Sequence, residues 1–221
     1  MPRLADEHGV PRRRVNPRQS QSKGEQTRRT ILSHALGIVS NVGYEGLSIG
    51  VLAEATQLSK SGLFAHFKSK EALQLGVVQE VINQFTLRVV QPALASPRGE
   101  PRVRVLFDKK LEWIRGEELS GCLLQKASLE YQNRIGHPVR ERIVKALQDW
   151  LELVARCTQN GIDEGHFRAD LDTQQFAYEF DGITMMYEQT QGLMRDRSAG
   201  KRAHTAFESL LDRSRRLTRP R

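Results

Sequence analysis

Within one short stretch, Lys60, Ser61, Gly62, Phe64 and His66 combine a cation, a hydroxyl, bare backbone, a ring and an imidazole, with Ser59 just ahead of them. Carried on one side of a helix, that mixture suits the edges of nucleic-acid bases, because small and polar side chains let the helix approach a major groove roughly 12 Å wide. Lys60 is the candidate base reader, since an ammonium can donate to the O6 and N7 acceptors of guanine; the alternative is an ordinary solvated lysine. Lys70 stands at another helix start, where free amides and a flexible ammonium can together grip a phosphate, or simply form a solvated cap. Thr27, Arg28 and Ser48, also near helix starts, are candidates for holding flanking phosphates. Such contacts set position but carry no sequence information.

Catalytic readings fare worse. Gly46, Leu47, Ser48, Ile49 and Gly50 match the G-x-S-x-G nucleophile elbow letter by letter. That turn works only where a strand bends sharply into a helix, and here the preceding segment reads as a helix ending at Gly43. His66 has no acid or nucleophile near it in sequence, so a groove or phosphate contact explains it better than general-base work. No metal-spaced histidine pair, phosphate loop or dinucleotide fingerprint occurs. The expectation is therefore no enzyme, no cofactor and no metal.

The elements that must position these residues are short amphipathic runs within Leu47 to Leu73. Ser48 caps a helix whose inner face is Ile49, Leu52 and Ala53. A turn at Thr56, Gln57 and Leu58 follows, and Ser59 caps a second helix that buries Leu63 and Phe67. Ahead of the pair, a capping box at Ser22 to Glu25 opens a longer helix with Ile31, Leu32, Ala35, Leu36, Val39 and Val42 on one stripe, stopping at Gly43. The spacing predicts a helix-turn-helix under a third, roofing helix.

Downstream, Ser69 caps a helix from Lys70 with Leu73, Val77, Val81 and Phe85 on its apolar side. Pro92, Pro97, Gly99 and Pro101 predict a break. A fifth helix then carries Val103, Leu106, Phe107, Leu111 and Ile114, with Trp113 beside them. Gly121 leads into a helix over Cys122 to Asn133, and Pro138 opens a long helix through Val154, closed by Gly161 and Gly165. Asp172 caps a helix with Phe176, Phe180, Ile183 and Tyr187 on one stripe, and Ala203 to Leu211 forms the last. With no strand pattern and no repeat, the fold class is all-α. The expected organisation is a basic disordered arm over 1–22, a helix-turn-helix domain over 23–69, a helical domain over 70–215 and a basic tail over 216–221.

The 221 residues carry a net charge of +8, unevenly placed. Residues 1–30 hold eight Lys or Arg against three acids, and residues 195–221 hold nine against three, which leaves the middle at −3. Basic ends on a mildly acidic body suggest a polyanionic partner, or merely solubilising tails. No secretory h-region and no membrane-length apolar run is visible, so a cytoplasmic protein without a membrane partner is expected. Cys122 and Cys157 lie far apart, and they read as small buried hydrophobes kept reduced rather than as a redox pair.

The order and spacing of Thr27, Arg28, Ile31, Leu32, Ala35, Gly43, Tyr44, Ser48, Leu52, Ala53, Leu58, Ser59, Leu63, His66, Phe67, Ser69, Lys70 and Glu71 resemble the DNA-binding domain of tetracycline-repressor (TetR) family regulators. The resemblance covers residues 23 to 75, about a quarter of the chain; beyond it only the all-helical pattern is similar. Three departures stand out. Gln57 replaces the family's turn glycine, Ser61 and Gly62 replace its Gly-Thr, and Phe64 and Ala65 replace its Tyr-Tyr, removing a hydroxyl that often bonds phosphate.

The resemblance implies a sequence-specific regulator, a repressor that binds double-stranded DNA at a near-palindromic operator as a homodimer. It further implies release by a small-molecule effector whose identity stays unknown. Effector contacts would come from Phe107, Trp113, Cys122, Gln125, Tyr131, Tyr178, Met185 and Met186, for which plain core is the competing reading. Phe176, Phe180, Ile183, Tyr187, Phe207, Leu210 and Leu211 would build a four-helix dimer interface, with monomer core as the alternative. A nucleoid-type architectural protein that binds DNA without sequence preference is the second functional class.

Overall fold

The structure is a computed structural model that describes residues 23–116 and 122–215. The expected basic arm, the Ser22 hydroxyl of the capping box, Gly121 and the basic tail lie outside the described residues. Among the described residues the regular structure is helical, apart from one isolated antiparallel bridge between Phe167 and Arg215. None of these helices is long and apolar enough to cross a membrane.

Three helices make the first layer: α1 (Lys23–Gly46), α2 (Ile49–Thr56) and α3 (Lys60–His66). Ile31, Leu32, Ala35, Leu36 and Val39 of α1 are buried against Leu52 and Ala53 of α2 and Leu63 of α3. Val42, expected on the same stripe, is 59% exposed. At roughly 100° per residue it keeps the angular position of Ile31 and Ala35, so its exposure comes from its place at the end of the stripe, where no neighbouring helix covers it. Gly43 supplies that end with φ +77°, a conformation that calls for glycine, and a Cβ there would push against the Glu130 carboxylate, 2.6 Å from Oε1. Gln57 takes the left-handed turn conformation at φ 56°, at a cost of about 1 kcal/mol for a residue with a Cβ.

The second layer is a helical body of α4 (Lys70–Phe85), α5 (Gln91–Ala95), α6 (Glu100–Arg115), α7 (Leu123–Tyr131), α8 (Pro138–Asp163), α9 (Thr173–Glu188) and α10 (Ala199–Ser214). The expected break at Pro92 does not occur. α4 runs through a wide helical segment, Thr86–Val90, straight into α5, and Pro92 follows directly on that segment, whose Gln91 amide reaches back five residues to the Thr86 carbonyl. The helix stops instead at Ser96, whose backbone is extended ahead of Pro97, as the ring of a following proline dictates.

Aromatic packing ties α6, α9 and α10 together. Phe107 stacks on Phe207 with centroids 3.9 Å apart and meets the edge of Phe180 at 5.5 Å, while Phe180 also meets Phe207 edge-on at 5.8 Å. Full burial of each such ring is worth about 1.5–3 kcal/mol. Phe176, Phe180, Phe207, Leu210 and Leu211 are each at most 3% exposed within the single chain. The stripe expected to face a partner is therefore monomer core. A period of 3.6 marks a buried face without saying what buries it, and here the neighbouring helices do.

Candidate nucleic-acid interface

Serine caps set the geometry of the helix-turn-helix. Ser48 Oγ accepts the Val51 amide at 3.2 Å, Ser59 Oγ accepts the Gly62 amide at 3.0 Å, and Ser69 Oγ accepts the Ala72 amide at 3.0 Å. Each cap satisfies one otherwise orphaned donor and fixes where its helix begins. The Ser48 hydroxyl of the G-x-S-x-G lookalike is thus a helix cap, not a nucleophile on an elbow.

α3 presents what the sequence predicts. Leu63 and Phe67 point inward at 0% and 1% exposure, whereas Lys60, Ser61 and Phe64 are exposed and Gly62 and His66 are partly so. Ser61 Oγ lies 3.1 Å from Ser59 Oγ, a hydroxyl pair at the N-terminal end of the helix. The Phe64 ring, 48% exposed, has no hydrophobic reason to stand in water and offers a flat apolar face to a partner. Lys68, exposed between α3 and α4, adds a cation that sequence reasoning passed over, although it sits one residue before the Ser69 cap.

Other expected phosphate-holding residues turn partly toward the protein. Arg28 Nη1 donates to the His66 carbonyl at 2.8 Å, and its guanidinium lies 4.2 Å from the Phe67 ring centroid, so Arg28 braces the C-terminal end of α3. Gly76 of α4 makes room for that brace, since a Cβ there would lie 3.1 Å from the Phe67 ring and 3.4 Å from Arg28. Lys70 Nζ donates to the Glu45 carbonyl at 2.9 Å and pairs with the Glu45 carboxylate at 3.5 Å, with its side chain 43% exposed. Thr27 sits half-buried one residue before Arg28.

The junction between the two layers was not foreseen. Glu130 of α7 accepts the backbone amides of Tyr44 and Glu45 at 3.1 and 3.0 Å, satisfying donors that the break at Gly43 leaves open. Gln74 of α4, 3% exposed, donates to the Tyr44 carbonyl at 2.9 Å, and Arg134 pairs with Glu45 at 2.8 Å. Tyr44 and Tyr131 meet edge to face at 6.3 Å, and burial above all pushes the Tyr44 phenol far up from its ordinary value. The only sequence hint was Gly43 itself, a break that leaves amides in want of an acceptor.

Beyond the junction, α4, α6, α7, α8 and α9 enclose a cavity of about 260 Å³. Of the expected effector contacts, Trp113, Cys122 and Gln125 line it. Phe107 belongs to the α6–α9–α10 aromatic cluster and Tyr131 to the junction, so neither reaches it. Tyr178, Met185 and Met186 are 73%, 45% and 52% exposed on the outside of α9, where no neighbouring helix covers them. Residues not anticipated, Phe85, Lys110, Trp150 and Asp181, complete the walls. Trp150 Nε1 donates to Asp181 Oδ1 at 2.8 Å. Glu188 accepts the Cys122 amide at 2.9 Å, and burial raises its carboxyl above the ordinary range. Cys122 and Cys157 are buried free thiols. Among the described residues, no three His, Cys, Asp or Glu side chains gather to hold a metal ion.

The comparisons agree with this geometry. Residues 31–77 match the model for bacterial regulatory proteins of the tetR family, and residues 99–207 match the tetracyclin repressor-like C-terminal domain. The HTH-type transcriptional repressor DhaR of Mycobacterium sp. (strain GP1) is 27% identical over 131 residues, spanning 58% of this chain and 64% of that one. The HTH-type transcriptional repressor NemR of Escherichia coli (strain K12) is 23% identical over 138 residues, 61% of this chain and 68% of its own. A TetR transcriptional regulator from Chloroflexus aurantiacus J-10-FL shares the fold with a TM-score of 0.79 at 23% identity, covering 89% of this chain and 99% of the other. With residues 31–77 and 99–207 matched by the two domains of one family, the chain belongs to the TetR family of bacterial regulatory proteins.

Proposed function

We propose that this chain represses transcription by binding double-stranded DNA as a homodimer and releases it when a small molecule enters the cavity. The observation that carries the reading is the outer face of α3, where Lys60, Ser61 and Phe64 stand clear of the core on a helix whose start is fixed by Ser59. A rigid helix with a cation and small polar groups at its exposed N-terminal end fits base readout in a major groove. DhaR and NemR, both repressors by name, support the sign of the effect.

The dimer reading rests on the outside of α9 and α10. Tyr178, Met185 and Met186 are large and exposed there, beside a groove floored by Gly182, Ala203 and Ala206, whose small side chains let another helix approach closely. Ile183 and Tyr187 reach this groove.

Coupling follows from what touches both the cavity and the DNA-binding layer. α4 lends Val81, Ile82 and Phe85 to the cavity and holds Tyr44 through Gln74; α7 lends Leu124 and Gln125 and holds Tyr44 through Glu130. A ligand that shifts either helix moves the first layer against the second. If it prefers the DNA-free arrangement by a factor of ~100, operator affinity falls by that same factor, about 2.7 kcal/mol.

Selection of bound duplexes from a random pool tests the reading. A two-fold dimer enriches a near-palindrome with half-sites one helical turn, ~34–36 Å, or a multiple apart. A pool bound without an enriched symmetric sequence favours the architectural class instead.

A further inference from the structure

We infer that the cavity takes a compact, mostly apolar molecule with an anionic head, of the carboxylate type, seated against Lys110. The inference rests on reading the cavity as the effector site and names the chemistry it selects. Lys110 and Trp113 stand one turn apart on α6, and both lean on Phe85: the Lys110 ammonium lies 5.0 Å from the Phe85 ring centroid and 5.3 Å from that of Trp150, while Trp113 meets Phe85 edge-on at 5.6 Å. The rings steady the cation without neutralising it.

Most polar groups at the cavity wall already have partners inside the protein. Thr86 donates to the Ile82 carbonyl, Arg142 to Gln79, and Trp150 to Asp181, while Asp149 pairs with Lys145 and Arg156 with Glu152. Lys110 differs. Among the described residues no carboxylate lies within ion-pair distance of its half-buried ammonium. An incoming anion would supply that missing partner in a charge-assisted contact.

The nearby acids do not fill that role. Asp181 is engaged by Trp150 and Thr184, and Glu188 holds the Cys122 amide. The three cations at the walls, Lys110, Arg142 and Arg156, outnumber the two carboxylates, Asp149 and Asp181, which disfavours a cationic ligand. Val81, Ile82, Leu147 and Leu153 supply the apolar surface for the body. At about 260 Å³ the space exceeds the ~150 Å³ cavity that holds benzene, so a bicyclic or branched body fits.

The test is calorimetric titration of the full chain with three probes of one shape and different charge: naphthoate, naphthamide and naphthylmethylammonium. Naphthoate is expected to bind at least ~10-fold more tightly than the amide, and the ammonium not at all. Lys110→Met, which keeps the stem over the rings, is expected to weaken naphthoate ~10- to 100-fold and leave naphthamide unchanged. Unchanged naphthamide binding also shows that the variant cavity is intact. If amide or ammonium binds as tightly as naphthoate, or Lys110→Met leaves naphthoate unchanged, the anionic class is overturned while the cavity stands as a ligand site. If no probe binds, the inference is overturned, and operator affinity measured on the same preparation shows whether the DNA-binding reading survives. Charge-selective binding that leaves operator affinity unmoved upholds the ligand class and removes the effector role.

Discussion

The Glu130 carboxylate on α7 accepts the Tyr44 amide at 3.1 Å across a sequence separation of 86 residues, and the Glu45 amide at 3.0 Å with its other oxygen. One side chain thus closes the open end of α1 and joins the helical body to the DNA-binding layer. Glu130→Ala is expected to lower stability by about 1–3 kcal/mol in urea unfolding, because two amides lose an acceptor together, while Glu130→Gln, with one acceptor oxygen left, loses less. An unchanged midpoint for the alanine variant would show that water replaces the carboxylate without cost.

The outside of α9 and its inside give opposite phenotypes. Met186→Asp, at a position 52% exposed, is expected to leave the chain folded but monomeric in sedimentation, with operator affinity lost alongside. Phe180→Asp, at 0% exposure, places a charge in the aromatic core and is expected to unfold the monomer at a cost of several kcal/mol. A Met186→Asp protein that stays dimeric would move the interface elsewhere.

This contrast shows where sequence stops being informative. Caps at Ser48, Ser59 and Ser69 were legible because each depends on neighbours within four residues. The outward face of α3 was legible because Lys60, Ser61 and Phe64 break the apolar period. Phe180 and Phe207 were misassigned because periodicity reports burial and is silent on which chain does the burying. Glu130, Arg28 and the Lys110 wall depend on contacts between elements far apart in sequence. No local pattern encodes those.

Acid should loosen the α6–α10 seam. Glu100 accepts Arg215 at 2.6 Å and Arg104 at 2.9 Å, and these guanidiniums, Arg215 first, hold its carboxyl below the ordinary value despite burial; Glu208 is lowered too, chiefly by Arg104. A depressed folded-state pKa means the contribution is complete above the unfolded value, near 4.5, and is lost as pH falls through the folded one. The thermal midpoint is therefore expected to fall more steeply with acid in the wild type than in Arg215→Gln. Parallel acid profiles would remove Arg215 as the cause.

Lys70 is tied to Glu45 yet keeps 43% of its side chain exposed. Lys70→Ala is expected to weaken all duplexes alike and to make the salt dependence shallower by about one unit of slope, the signature of one phosphate contact. A lowered thermal midpoint with an unchanged slope would assign Lys70 to holding Glu45 alone.

The central claim is that α3 reads bases through Lys60. Measuring wild type and Lys60→Ala against every single-base variant of the selected duplex tests it most directly. The account predicts that Lys60→Ala loses ~1–3 kcal/mol on the preferred site and relaxes one base pair in each half-site, leaving preferences elsewhere intact. Base preferences identical to the wild type at all positions, with affinity lowered uniformly or not at all, would contradict it.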